Sequence, residues 1–186
     1  MKHLIDLILA LLLLVILAIP MILVAIIIRL SSSGPALYWS NRVGKNGEIF
    51  SMPKFRSMSG DVPTMPSHLF KDSDNYVFPF GSFIRHYSID EFPQLFSILR
   101  REMSFVGPRP ALFNQDDLIS LRKANGVDIL LPGLTGLAQI SGRDNLSIEE
   151  KAALDYEYLK NQSLLLDLKI LFKTFLKVIK SDGVSH

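Results

Sequence analysis

The sequence predicts a mainly α-helical fold with one small β-hairpin, preceded by an apolar membrane helix that a proline interrupts. Three observations carry that prediction. Residues Leu7 to Ile28 contain no charged side chain, a run long enough to cross a bilayer as a helix. Two short segments rich in aromatic or β-branched residues, Ala36 to Val43 and Glu48 to Met52, flank the turn-forming Gly44-Lys45-Asn46-Gly47 and read as a hairpin. Beyond residue 80, several segments place apolar residues at helical spacing.

With 186 residues the chain is long enough for one domain with a real core. It contains no cysteine, which excludes disulfides, thiolate metal sites and a cysteine nucleophile. The net charge of +2 is too small for a dedicated nucleic-acid binder, so no nucleic-acid partner is expected. The histidines His3, His68, His86 and His186 are scattered without metal-ligand spacing.

The N-terminal run is too long for a signal-peptide core, and no small-residue cleavage site follows it. It reads as a retained anchor. Pro20 divides it, and Leu7 to Ile19 alone would reach roughly 20 Å as a helix, short of the roughly 30 Å hydrocarbon core. Lys2 and Arg29 put positive charge at both ends, so charge bias gives no single orientation. Two geometries satisfy these facts: a helix–break–helix that enters and leaves on the cytoplasmic face, and a proline-kinked spanning helix. Asp6 is expected at headgroup level or paired with a basic residue. Ser31 to Pro35 forms a linker, giving an anchor over 1–30 and a second domain over 31–186.

After the hairpin, Lys54 and Arg56 flank Phe55 at a spacing that puts both charges on one strand face. Residues 60–79 read as a long loop, and Phe80 to Tyr87 as a short helix carrying Arg85. Asp90 to Arg101 is predicted as the central helix, because Pro93 is tolerated only in a first turn. Ser88 or Asp90 would then cap it, with Glu91 closing a capping box. The same adjacent carboxylates have a chemical reading. Free N–H groups at a helix start attract phosphate, so Asp90, Glu91 and nearby basic side chains are equipment for phosphoryl chemistry.

Gly107-Pro108-Arg109-Pro110 restricts the backbone on both sides of Arg109. A pre-set arginine suits bidentate phosphate recognition, although a proline-rich turn before a helix near Ala111 to Asn125 explains the same residues. Leu131 to Arg143 contains Gly133, Gly136 and Gly142. It fits neither a P-loop nor a dinucleotide fingerprint, but its glycines would allow close approach to a ligand, with Arg143 on a phosphate. Helices are predicted over Ser147 to Asn161 and Ser163 to Ser181. In the last, Lys169, Lys173 and Lys177 lie beside Leu168, Leu171, Phe172, Phe175 and Leu176. That pattern fits an amphipathic helix at a membrane interface, or one packed on the core with its lysines in water.

Taken in order, several of these stretches resemble one family. They are the proline-interrupted apolar segment, Lys54-Phe55-Arg56-Ser57-Met58, Arg85 with Ser88-Ile89-Asp90-Glu91-Phe92-Pro93-Gln94-Leu95, Met103-Ser104-Phe105-Val106-Gly107-Pro108-Arg109-Pro110, Pro132-Gly133-Leu134-Thr135-Gly136-Leu137-Ala138-Gln139 and Gly142-Arg143. The chain resembles the bacterial monotopic phosphoglycosyl transferases in their small catalytic-core form, the initiating sugar transferases of glycoconjugate and polysaccharide synthesis. The resemblance covers nearly the whole chain.

It implies a re-entrant helix broken near Pro20, a compact cytoplasmic catalytic domain with interfacial amphipathic helices, and a place at the bacterial inner membrane. It implies transfer of a phosphosugar from a UDP-sugar, expected to be N-acetylated, to undecaprenyl phosphate, with Mg²⁺ as cofactor and UMP released. Asp90 would be the nucleophile that carries the phosphosugar, and Asp90 with Glu91 would hold the metal. Lys54, Arg56, Arg85, Arg109, Gln139, Arg143 and Asp167 match positions expected around the substrates. A homodimer is compatible with the family. The family breaks its membrane helix at Ser-Pro, whereas Ile19 precedes Pro20 here. Two other functions fit the same residues: an anchored UDP-sugar hydrolase, and a non-catalytic protein that binds anionic lipid or partners.

Overall fold

A computed structural model describes residues 2–58, 76–142 and 145–180. Helix α1, Lys2–Ser31, is assigned as one element with Pro20 inside it. It is long and apolar enough to cross a membrane. Its shielded positions, among them Lys2, Asp6, Ala10, Leu14, Leu17, Met21, Val24 and Ile28, recur at helical spacing along its whole length. The opposite face leaves Leu11, Val15, Ile16, Ile19 and Leu23 exposed.

The predicted hairpin is present. Strands β1, Leu37–Val43, and β2, Ile49–Phe55, pair antiparallel in a register running from Leu37 opposite Phe55 to Val43 opposite Ile49. Asn46 and Gly47 take positive φ in the connecting turn, where such residues cost least. The short strand β4, Ala111–Leu112, adds to the free edge of β1. Helix α2, Pro79–His86, follows.

The central segment differs from the prediction. Ser88 sits in the left-handed region and its side chain makes no capping bond. Residues Ile89–Gln94 then form a tight 3₁₀ turn, and helix α3 covers only Leu95–Leu99. Pro93 has no N–H to donate, so the chain begins its α-helical bonding after it. The predicted helix at Ala111 is likewise shorter. Ala111 and Leu112 are spent on β4, and helix α4 runs Asp116–Ala124.

The predicted glycine loop contains strand β5, Gly133–Thr135, and helix α5, Leu137–Ser141. Strand β5 pairs parallel with β3, Ser104–Val106. A β-carbon on Gly133 would overlap the Gly107 backbone, so this glycine lets two segments of the protein approach each other. Helix α6, Ile148–Asn161, opens with a full capping box between Ser147 and Glu150. Helix α7, Leu164–Lys180, closes the described chain.

The main core gathers Met52, Leu95, Ile98, Met103, Phe105, Val106, Tyr158 and Ile170, with Ala10 of α1 buried among them. A second cluster joins Ile28 of α1 to Phe55, Phe78 and Ile84. Asp6 is buried and bonds to β3, not to a basic residue: it accepts from the Ser104 hydroxyl at 2.8 Å and from the Phe105 N–H at 3.5 Å. A side-chain hydroxyl and a backbone N–H of β3 supply the donors that an apolar helix lacks.

Gly81 fixes how α2 meets the end of β2, because a β-carbon there would overlap the Ser57 carbonyl. That contact sets Arg85 on α2 relative to Lys54 on β2. Gly81→Ala is expected to destabilise the fold by about 1–3 kcal/mol, the usual range for overpacking. Denaturant unfolding of the two proteins side by side measures it.

Candidate active site

Three separate parts of the chain meet at the adjacent carboxylates. The 3₁₀ turn presents Asp90 and Glu91. From β2, Lys54 Nζ lies 2.9 Å from Glu91 Oε1 and 3.9 Å from Asp90 Oδ2. From the loop between β3 and β4, Arg109 Nη1 lies 3.6 Å from the same Glu91 oxygen. Arg85, at the end of α2, is close enough for its charge to favour the ionised form of Asp90. The left-handed turn at Ser88 allows this, because it reverses the chain between the helix that carries Arg85 and the turn that carries the carboxylates.

Asp90 is held in tension. Burial raises its pKa most, and Lys54 opposes that rise; Glu91 adds to it, while Arg85 and Arg109 oppose it, leaving the carboxyl at about 6. A carboxyl poised there is ionised at neutral pH yet poorly hydrated, the condition of a carboxylate ready to bond to an electrophile.

The sequence reading missed Arg42. The hairpin register places Tyr38, Ser40 and Arg42 opposite Lys54, Met52 and Phe50, so these residues share one face. Arg42 donates from Nε to Ser40 Oγ at 3.0 Å and from Nη1 to the Pro110 carbonyl at 3.1 Å. Burial chiefly, and then the charge of Arg109, lower its pKa to about 10, against the raising influence of Glu91 and Tyr38. The signal was available: the turn after Val43 fixes which alternate residues accompany Lys54.

Not every predicted site residue joins this group. Arg56 lies just past β2 and donates to the Ser32 and Ser33 carbonyls and to Ser32 Oγ, fastening the linker that follows α1. Asp167, on α7, accepts from Lys2 Nζ at 2.6 Å and from the Tyr158 hydroxyl at 2.7 Å. Its carboxylate is therefore occupied in docking the start of α1. Gln139 lies on α5, and both polar atoms of its side chain are buried with no hydrogen-bond partner among the described residues. Arg143, most of the predicted 60–79 loop and His68 lie outside the described residues. Among the described residues no group of three or more His, Asp or Glu side chains is arranged to hold a metal ion.

Residues 1–181 match the family described as bacterial sugar transferase. The chain belongs to that family. This transferase is 36% identical to the exopolysaccharide production protein ExoY of Sinorhizobium fredii, over 98% of this chain and 87% of ExoY. It is 39% identical to the undecaprenyl-phosphate galactose phosphotransferase of Salmonella typhimurium, over 81% of this chain but 34% of that protein. It is 38% identical to the undecaprenyl-phosphate glucose phosphotransferase of Komagataeibacter xylinus, over 97% of this chain and 36% of that protein. The chain thus spans about a third of the two phosphotransferases and most of ExoY. Membership makes the chain a bacterial sugar transferase, and α1 is long and apolar enough to cross a membrane.

The raised pKa of Asp90 has a sign that can be checked. The folded protein holds this proton more tightly than the unfolded chain, so the associated stability is full below about 3.8 and is lost as pH rises through about 6. Asp90→Asn, which cannot ionise, is expected to melt at a higher temperature than the parent protein at pH 8. The advantage should shrink as the pH is taken down through 6. Melting curves of both proteins from pH 4 to pH 8 read it directly.

Proposed function

We propose that the transferase moves a phosphosugar from a UDP-sugar to undecaprenyl phosphate, through a covalent intermediate on Asp90. The observation that carries this reading is a poorly solvated carboxylate, with a pKa raised to about 6, set among the cationic side chains of Lys54, Arg85 and Arg109. The names of the galactose and glucose phosphotransferases support the lipid carrier.

The ionised Asp90 oxygen attacks the sugar-linked phosphorus. As that bond forms, the bond from this phosphorus to the bridging oxygen breaks, and UMP leaves with the electron pair. A phosphate oxygen of the lipid then attacks the same phosphorus and displaces Asp90, which is regenerated as a carboxylate. Carboxylate and diphosphate repel each other, so the step requires cations. Lys54 and Arg109 offset charge on the transferring oxygens, and Arg85 steadies the ionised form of Asp90. Glu91 holds Lys54 and Arg109 in place. Adjacent carboxylates at Asp90 and Glu91 suit Mg²⁺, which takes one or two carboxylates with substrate phosphate oxygens and water. When bound, it would supply Lewis-acid stabilisation of the diphosphate.

The re-entrant, cytoplasmic-face geometry is part of this proposal, and packing supports it. Lys2 and Asp6, at the start of α1, bond to α7 and β3 of the same domain that covers Ile28 near the end of α1. A helix docked at both ends on one domain enters and leaves on one side of the bilayer, here the cytoplasmic side, where sugar nucleotides are made. Helix α7 buries Asp167 and Ile170 and leaves Leu165, Leu168, Phe172 and Phe175 exposed, which suits a helix lying in the interface.

The enzymatic test is UMP release with Mg²⁺ across UDP-galactose, UDP-glucose and their N-acetylated counterparts, with and without undecaprenyl phosphate. Lipid-dependent release from one donor, abolished in folded Asp90→Asn, is the expected result. Release without lipid would identify a hydrolase, and full activity in Asp90→Asn would remove the nucleophile. For the geometry, the chain has no native cysteine, so His3→Cys gives a single label site. It should resist a membrane-impermeant thiol reagent applied to intact cells; rapid labelling would mean that α1 spans.

A further inference from the structure

We propose that Arg122 and Asp155, neither of which contacts the carboxylate pair, are positioning residues that fix Arg109 for phosphate binding. The argument rests on the reading that Arg109 engages substrate phosphate.

Prolines flank Arg109 and cannot donate, so this segment depends on its carbonyls for attachment. All three are held, each from a different element. The Pro108 carbonyl accepts from the Gly133 N–H at 2.8 Å. The Arg109 carbonyl accepts from Arg122 Nη1 at 2.8 Å. The Pro110 carbonyl accepts from Arg42 Nη1 at 3.1 Å. The preceding Gly107 N–H donates to the Thr135 carbonyl at 2.9 Å. Pro108, Ala111 and Arg122 also border a pocket of about 160 Å³.

Arg122 is itself set by Asp155. Its Nε and Nη2 donate to Asp155 Oδ2 at 2.9 and 2.7 Å, which aims Nη1 at the Arg109 carbonyl. Asp155 on α6 is almost wholly buried, at 1% exposure. A buried ion pair is weak support for stability on its own, and a planar five-donor fork joining a carboxylate to a carbonyl is a function that lysine cannot copy. Arg42 performs a related task, but it stands within the electric influence of Glu91 and Arg109. Arg122 is therefore the cleaner test.

Arg122→Lys keeps the charge and loses the fork. The experiment uses the full chain in lipid nanodiscs with the donor that the UMP assay selects. Arg122→Lys is expected to lower kcat/KM about tenfold, as small misplacements of a binding group do. In an Arg109→Ala background the same change should cost nothing further, because its effect passes through Arg109. Hydrogen exchange across residues 107–112 should quicken in Arg122→Lys whatever the donor. If Arg122→Lys does not fold, Asp155→Asn, which frees Arg122 with little change of shape, takes its place in the same cycle.

Unchanged exchange, unchanged kcat/KM, or a tenfold loss that persists without the Arg109 side chain would each overturn the proposal. Undiminished kcat/KM in Arg109→Ala, in place of the expected reduced but measurable value, would instead overturn the phosphate role of Arg109, and the positioning role with it. Loss in Arg109→Ala alongside full activity in Arg122→Lys would overturn positioning alone.

Discussion

Glu91 joins the parts of the catalytic centre. Its Oε1 lies 2.9 Å from Lys54 on β2 and 3.6 Å from Arg109 on the β3–β4 loop, and the residue is next to Asp90 in the chain. Lys54, Arg109, Arg85 and Arg42 could not gather so closely without a counter-charge, because their mutual repulsion would open the hairpin from the loop. With Glu91 between them, four cations face two carboxylates. The positive excess that remains is a fitting environment for an anionic diphosphate, and it keeps a buried Asp90 ionised at neutral pH.

Much of this was legible from local rules. A four-residue turn between aromatic-rich stretches gave the hairpin, and the helix expected over Ser147 to Asn161 is α6, Ile148–Asn161. Elements failed where tertiary pairing overrode local preference. Ala111 and Leu112 have helix-compatible side chains, but the free edge of β1 claims them as a strand. Gly133 looked like room for a ligand and is room for Gly107. The adjacent carboxylates Asp90 and Glu91 and the proline-flanked Arg109 stood out in a single line of sequence, whereas Lys54 and Arg85 were singled out by the family resemblance.

Arg42, Arg122 and Asp155 did not stand out, for a physical reason. Each has an ordinary neighbourhood, and its role comes from partners on other elements. Asp167 sits in a recognisable stretch, and the structure shows its carboxylate bonded to Lys2 and Tyr158. The apolar faces of α1 and α7 were visible by composition, but which residues of each helix would pack inward was fixed only by the domain beneath them.

The bonds from α1 to the rest of the protein span 98 residues for Asp6 with Ser104 and 165 for Lys2 with Asp167. Synthesis proceeds from the N-terminus at roughly 5–20 residues per second. The anchor therefore leaves the ribosome roughly 5–20 s before Asp6 has a hydroxyl to bind, and longer before α7 exists. During that interval an acidic side chain near the end of an apolar helix must stay in contact with water or headgroups, because nothing else is there to satisfy it. The nascent helix is thus kept from drawing its N-terminal end deep into the lipid until the domain arrives to hold it. A carboxylate that reads as a flaw in a membrane segment becomes, in order of birth, a temporary float and then a permanent mooring.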